Sequence, residues 1–354
     1  MSALPPFACQ HTPNFPELLE QLNCTLVIST FQAGKLIFLG PKNGEQLIQL
    51  PRTFNSPMGV AIKDNKLALA TKDEVLMLRN SEELAKTYPN APDKYDAFFK
   101  PMASYHTGQL DIHDLHFGND KLWAVNTSFS CLCTINDDFS FTPRWKPKFI
   151  SKLESEDRCH LNGLAMDRVR PKYVTGLGSG NTAQSWRGNI TKGGVLIDIE
   201  TDELICNDLS MPHSPRIYDS QLYVLLSAGQ KLISVDPNSG KKEDVVHIPG
   251  FVRGMCKVQD YIFIATSKLR KNSSTFKHLE IADNANEASI TAIHLPTGSI
   301  VAKMSYLTSV DEIYDIQILE GYTRPNIINK DQGLHLQGLI TPENTFWAKE
   351  SNKN

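Results

Sequence analysis

The chain has 354 residues, a formal net charge of -3 and 21% charged residues, with no long run of one sign. That balance argues against a nucleic-acid or anionic-membrane partner, and no apolar run approaches the about 20 residues a membrane helix needs. A hydrophobic content of 41% is ordinary for a globular protein, and the length suits two small domains or one large all-β domain.

In chain order, Met1-Ser2-Ala3-Leu4-Pro5-Pro6 lacks the basic start and apolar core of a signal peptide. The expected compartment is therefore cytoplasmic. Residues 1–24 read as an N-terminal extension with one short helical stretch at 16–22. From Thr25 the pattern changes to β-branched and apolar runs bounded by Gly, Pro and Asn, which predicts strands. Three come first, at residues 26–30, 35–39 and 46–50.

A repeating unit follows: an inner strand, a turn, and a partner strand such as Lys66-Leu67-Ala68-Leu69-Ala70-Thr71. Aligned on the partner strand, the inner strands fall at residues 57–62, 112–117, 161–166, 212–217, 252–257 and 313–318. They begin roughly every 40 to 60 residues, the spacing of four-stranded propeller blades. The sixth inner strand has no strands after it, and the three N-terminal strands have no inner strand. Pairing the two completes a sixth blade and removes two open sheet edges. The expected fold is all-β, a six-bladed β-propeller over residues 25–320 closed by its N-terminal strands. Residues 321–354 are expected to be a C-terminal tail packed on the outside, with a disordered end.

Three stretches depart from the repeat. Residues 79–103 read as a long insertion, 176–194 as a Gly-, Asn- and Thr-rich loop centred on Trp186-Arg187, and 268–287 as a polar segment able to fold over one face. Loops of that length in a compact scaffold are functional or disordered. The seven cysteines are odd in number and scattered, and Cys131-Leu132-Cys133 has no second close pair to complete a zinc site. Reduced, buried thiols are expected.

Side chains alternate along a strand, so residues two apart share a face. The aligned axial position holds Met58, His113, Asn162, His213, Arg253 and Tyr314, and two residues earlier stand Ser56, Asp111, His160, Met211, Phe251 and Glu312. His113, His160 and His213 thus come from three consecutive blades and are expected to point at one axis. Neutral imidazoles with a carboxylate suit a divalent transition metal such as iron, zinc or manganese, and an open position on it activates water or dioxygen. Glu312 or Asp111 would be a fourth ligand or general base. Asp114 or Asp315 would hold a ligand histidine's tautomer, and Arg253 would anchor a substrate carboxylate or phosphate. Asn162, Tyr314, Trp186 and Arg187 complete the expected substrate contacts. His116 and Arg216 read as structural.

Several motifs carry a resemblance. Asp111-Ile112-His113-Asp114-Leu115, Phe129-Ser130-Cys131-Leu132-Cys133, Glu156-Asp157-Arg158-Cys159-His160-Leu161-Asn162-Gly163, Met211-Pro212-His213-Ser214-Pro215-Arg216 and Pro249-Gly250-Phe251-Val252-Arg253-Gly254 resemble a bacterial family of conserved hypothetical proteins with a domain of unknown function. The likeness covers about residues 25–325. It implies that these motifs are the family's characteristic set, and it brings no activity with it. At the level of fold, Asn162-Gly163-Leu164 is similar to the inner-strand motif of gluconolactonase and senescence-marker-protein propellers, whose Asn binds a divalent metal. His at 113 and 213 and Arg at 253 depart from that pattern and favour a softer metal than calcium.

The expectation is a metal-dependent enzyme acting on a small or peptide-like carboxylate-bearing substrate, by hydrolytic or oxygen-dependent chemistry. The competing reading is a non-catalytic propeller that binds a ligand or a partner protein. Oligomeric state is silent in the sequence.

Overall fold

Short β-rich segments joined by tight turns pair with their sequence neighbours, and here they do so six times around one axis. The computed structural model describes residues 4–269, 279–283, 285–331 and 333–348. Each of its six large sheets has four antiparallel blade strands, innermost strand at the axis, and together they form a six-bladed β-propeller.

Blade 1 runs outward through Val60–Lys63, Lys66–Ala70, Glu74–Asn80 and Ala97–His106. Blade 2 comprises Ile112–Gly118, Lys121–Asn126, Cys131–Ile135 and Thr142–Trp145, and blade 3 Leu161–Asp167, Arg170–Gly176, Gly194–Asp198 and Leu204–Leu209. Blade 4 is built of Pro212–Tyr218, Gln221–Leu226, Lys231–Val235 and Lys242–His247, and blade 5 of Phe251–Val258, Tyr261–Ser267, Ala288–His294 and Ser299–Tyr306. Blade 6 combines the two chain ends. Its inner strand Asp315–Glu320 pairs with Cys24–Thr30, Ile28 opposite Ile316, followed by Lys35–Lys42 and Gln46–Thr53. The orphan strands of the N-terminus therefore close the ring, as their lack of an inner partner required.

Both faces of each sheet are buried against neighbouring blades, so central strands are mostly apolar, with buried Thr and Ser among them. Alternation distributes the side chains: Cys131 and Cys133 pack toward blade 1 beside Ala68 and Ala124, while Leu132 faces blade 3 beside Leu161 and Val174. The cysteines are free, and burial pushes the Cys131 and Cys159 thiols up to about 12. They are core residues rather than nucleophiles.

Both ends of the chain also brace the blades beside the closure. Cys9–His11 adds a fifth strand to blade 5, and Pro325–Ile327 adds a parallel fifth strand to blade 1. The helix Asn14–Gln21 buries Phe15 and Leu19 where blades 5 and 6 meet, with Phe15 edge-on to Phe263 at 6.2 Å. The extension is thus part of the closed ring. Residues 79–103 are not an insertion: Ala97–His106 is the outermost strand of blade 1, preceded by the helix Glu82–Lys86. Pro101 had disguised it, and it is tolerated because the pairing slips by a bulge between Met77 and Leu78. After blade 6, the hairpin Gly338–Ile340/Thr345–Trp347 packs Trp347 on Phe98 and Tyr88 of blade 1. The expected disordered end lies outside the described residues, as does part of 268–287.

Candidate functional site

Each inner strand is entered by a sharp turn, and in blades 1 to 4 the turning residue sits in left-handed backbone space. These are Ser56, Asp111, His160 and Met211, with φ of 51°, 53°, 50° and 57°. A pocket of about 680 Å³ opens at this end of the axis, within the range of small-molecule sites. His113, His160, His213, Asp111, Glu312, Arg253, Tyr314, Trp186 and Arg187 all line it. Asn162 does not. It is buried, and its amide oxygen accepts the Thr175 hydroxyl at 2.7 Å, which takes away the oxygen that the lactonase-like motif would offer a metal.

The three histidines also differ in level. His113 and His213 occupy the same repeat position, whereas His160 takes the place of Asp111 and Met211 in the turn before its strand. Strand alternation does not govern a left-handed residue, so His160 reaches the wall from a different layer. Its ring nonetheless meets His113 edge-on, with centroids 4.8 Å apart.

Hydrogen bonding decides what these imidazoles present. His113 Nδ1 stands 3.0 Å from the Asp111 carbonyl and 2.9 Å from Thr127 Oγ1. The Thr127 proton is committed elsewhere, to the Leu161 carbonyl at 2.5 Å. Both neighbours therefore accept, and His113 Nδ1 carries the proton. His213 repeats the arrangement: Nδ1 faces the Met211 carbonyl at 3.0 Å and Ser227 Oγ at 2.7 Å, and Ser227 donates to the Val252 carbonyl at 2.6 Å. His160 Nδ1 donates to the Asp157 carboxylate at 2.9 Å. All three rings are thus held as the Nδ1–H tautomer. Among the described residues, no protein group meets any of their Nε2 atoms. Burial pushes the His113 pKa down to about 3 and that of His213 well below the usual imidazole value, with the Arg253 charge adding to the latter. Both rings are neutral near pH 7.

Sequence reasoning missed the groups that do this holding. Thr127 and Ser227 sit just past the second strands of blades 2 and 4, and Ser267 and Ser29 stand at the ends of those in blades 5 and 6. Each hydroxyl donates across to a carbonyl at the next blade's inner strand, for Ser267 to Ile313 and for Ser29 to Met58. A hydroxyl at that repeat position was the available signal. Asp157 was missed as well. Its carboxylate takes both His160 and Trp186 Nε1, the latter at 3.1 Å, so it fastens the 176–194 loop to the site. Trp186 lies 4.4 Å from the His160 ring, and the Arg187 guanidinium is 4.5 Å above the indole.

Beside His113, whose ring lies 5.5 Å from that of Tyr314, the Arg253 guanidinium stacks on the Tyr314 ring at 3.5 Å. Tyr314 is 5% exposed and its hydroxyl is buried. Burial raises its pKa well above the phenolic value, so it is a donor.

A sequence family matches residues 13–328, described as a domain of unknown function (DUF4915). The chain belongs to this family. No functionally curated protein matches it. Among solved structures, an uncharacterised protein from Bacteroides caccae is similar at 9% identity and a TM-score of 0.51, over 84% of this chain and 99% of that one. A nidogen/laminin complex chain is similar at 11% identity and a TM-score of 0.48, over 84% and 99%. At such identity the likeness concerns fold alone.

One residue further along each inner strand, this DUF4915 propeller has a second axial ring: Gly59, Asp114, Gly163, Ser214, Gly254 and Asp315. Its polar members belong to the even blades, and each caps the next odd blade. Asp114 accepts the Leu164 N–H at 3.0 Å, Ser214 the Gly254 N–H at 3.1 Å and Asp315 the Val60 N–H at 3.0 Å. The glycines leave room for backbone, since a Cβ on Gly59 would stand 3.0 Å from Asp114 Cα. Arg216 forks onto Asp114 at 2.9 and 3.3 Å, and His116 approaches the same carboxylate at 3.2 Å. Burial works against the Asp114 charge, yet Arg216 and His116 hold its pKa below the usual carboxylate range. Asp315 is pushed up to about 6 by burial and by Asp114. Neither aspartate serves a ligand histidine, contrary to expectation. Both are structural, as His116 and Arg216 were expected to be.

Proposed function

We propose that the axial pocket is the active site of a metal-dependent enzyme acting on a small carboxylate-bearing substrate. What supports this reading is that all three pocket histidines have Nδ1 committed to an oxygen acceptor and Nε2 left for a ligand. Metal-binding histidines are prepared in that way, the far nitrogen fixed by a carboxylate, carbonyl or hydroxyl. Neutral imidazoles also match iron, zinc or manganese by ligand type. When bound, such an ion would act as a Lewis acid or bring water or dioxygen to reaction. The protein's own part is to hold the three rings in one tautomer and to exclude water with the Trp186 loop. Glu312 or Asp111 would move a proton, and Arg253 would bind the carboxylate as a planar fork.

A second reading rests on its own observation. Among the described residues, no three His, Cys, Asp or Glu side chains stand close enough to hold one ion as they are placed. That favours a non-catalytic propeller whose pocket binds a small ligand directly through the same Nε2 acceptors.

The test is elemental analysis of untagged protein, wild type beside His113→Ala/His213→Ala, with circular dichroism to verify folding. About one equivalent of metal, absent from the folded variant, is the expected result. No metal in the wild type after anaerobic reconstitution overturns the metalloenzyme reading in favour of the binding one.

A further inference from the structure

The pocket's charged groups can be counted off against their partners, and two are left over. Lys268 is taken by Asp311 at 2.7 Å, Glu156 by Arg158 at 2.8 Å, and Asp157 by His160 and Trp186. Arg187 lies on Trp186, and both Arg187 and Glu312 have further interactions of their own. Among the described residues this leaves Arg253, with no carboxylate in salt-bridge range, and Asp111. The Asp111 carboxylate reaches only His113 Nδ1, at 3.7 Å, and that proton is already shared between the Asp111 carbonyl and Thr127. Asp111 is held toward the pocket by its left-handed turn, and its side chain is 47% exposed there.

Arg253 belongs to blade 5 and Asp111 to the turn entering blade 2, on opposite sides of a six-membered ring. An unpaired cation and an unpaired anion lining one cavity define a ligand with the reverse pair at its two ends.

We infer that the ligand is a small zwitterion, an amino acid or short peptide with free ends, its carboxylate on Arg253 and its ammonium on Asp111. This rests on the active-site reading above and narrows it. Asp111 becomes a binding residue, and Glu312 remains as the proton-moving carboxylate. Apolar walls from Phe31, Met58, Leu177, Met211 and Phe251 take the body of the ligand.

The experiment is calorimetric binding to EDTA-treated protein, so its outcome is independent of any metal. The probes are L-alanine, L-leucine, L-alanyl-L-alanine and L-leucyl-L-leucine, each beside its N-acetyl and its C-terminal amide form. At least one free zwitterion is expected to bind, and blocking either end to weaken it about tenfold or more, the worth of one charge-assisted hydrogen bond. Asp111→Asn keeps a residue type that tolerates left-handed backbone. It should abolish the discrimination against N-acetylation alone. Arg253→Met should abolish the discrimination against the amide without loss of folding. If no free zwitterion binds, or if an N-acetylated probe binds wild type as tightly as its parent, the inference falls. A metal without zwitterion binding would leave the enzyme reading standing, and zwitterion binding without a metal would leave the inference standing.

Discussion

Two rings of residues, one position apart on the same six strands, have opposite fates. The upper ring, with His113, His213 and Arg253, keeps polar groups turned to the pocket, the Nε2 atoms unmet among the described residues. In the lower ring, Asp114, Ser214 and Asp315 are consumed by backbone N–H groups of the next blade, and Asp114 also by Arg216. Both rings are buried and polar. What separates a binding surface from a structural clamp here is whether the atoms already have partners.

That contrast can be broken most sharply in the lower ring. Asp114→Ala strands the Arg216 charge in the core, where breaking a buried pair costs about 3–5 kcal/mol. Urea unfolding should register that loss, and a change below 1 kcal/mol would mean that the clamp is not structural. Next come the hydroxyl braces. Thr127→Val leaves the Leu161 carbonyl unmet at about 1–3 kcal/mol and leaves His113 Nδ1 with the Asp111 carbonyl alone, so metal affinity should drop roughly 10- to 100-fold. Ser29→Ala removes the equivalent brace in a blade without a histidine. It should cost similar stability and leave metal affinity alone. Equal metal loss in both variants would erase the distinction between the rings.

The upper ring should also show in the pH dependence of stability. The His113 pKa is lowered to about 3 in the folded chain, against about 6.5 for a free imidazole. Between those values the unfolded chain holds a proton that the folded chain does not. Stability therefore rises with pH through this window and is lost as pH falls, by at most about 1.4 kcal/mol per unit from this group. His113→Gln should flatten that slope, and an unchanged slope would assign it elsewhere. The smallest effect is expected at the loop. Trp186→Phe keeps a ring on His160 but loses the bond to Asp157, costing about 1 kcal/mol in thermal or chemical unfolding.

Particular residues mark how far the sequence could be read. The six inner strands and the closing blade were legible because hydrophobic alternation is a local signal that recurs at a fixed period. His113 and His213 were legible as a pair because they share one repeat position. His160 was placed on the correct wall for an incomplete reason, since its left-handed turn lifts it out of strand alternation. Asn162 was assigned to the substrate from its axial repeat position, and Thr175 occupies its amide oxygen instead. The outer strand Ala97–His106 was lost to one proline, which a bulge accommodates.

By itself, then, the sequence determined the architecture and the ring of candidate residues, because strand period and repeat spacing are written in near neighbours. Only the tertiary structure decided which of those residues remain available. His113 depends on a threonine whose proton goes to another blade, and Asp114 on an arginine 102 positions away. Such partners are chosen by how blades pack around the axis, a property that no local pattern encodes.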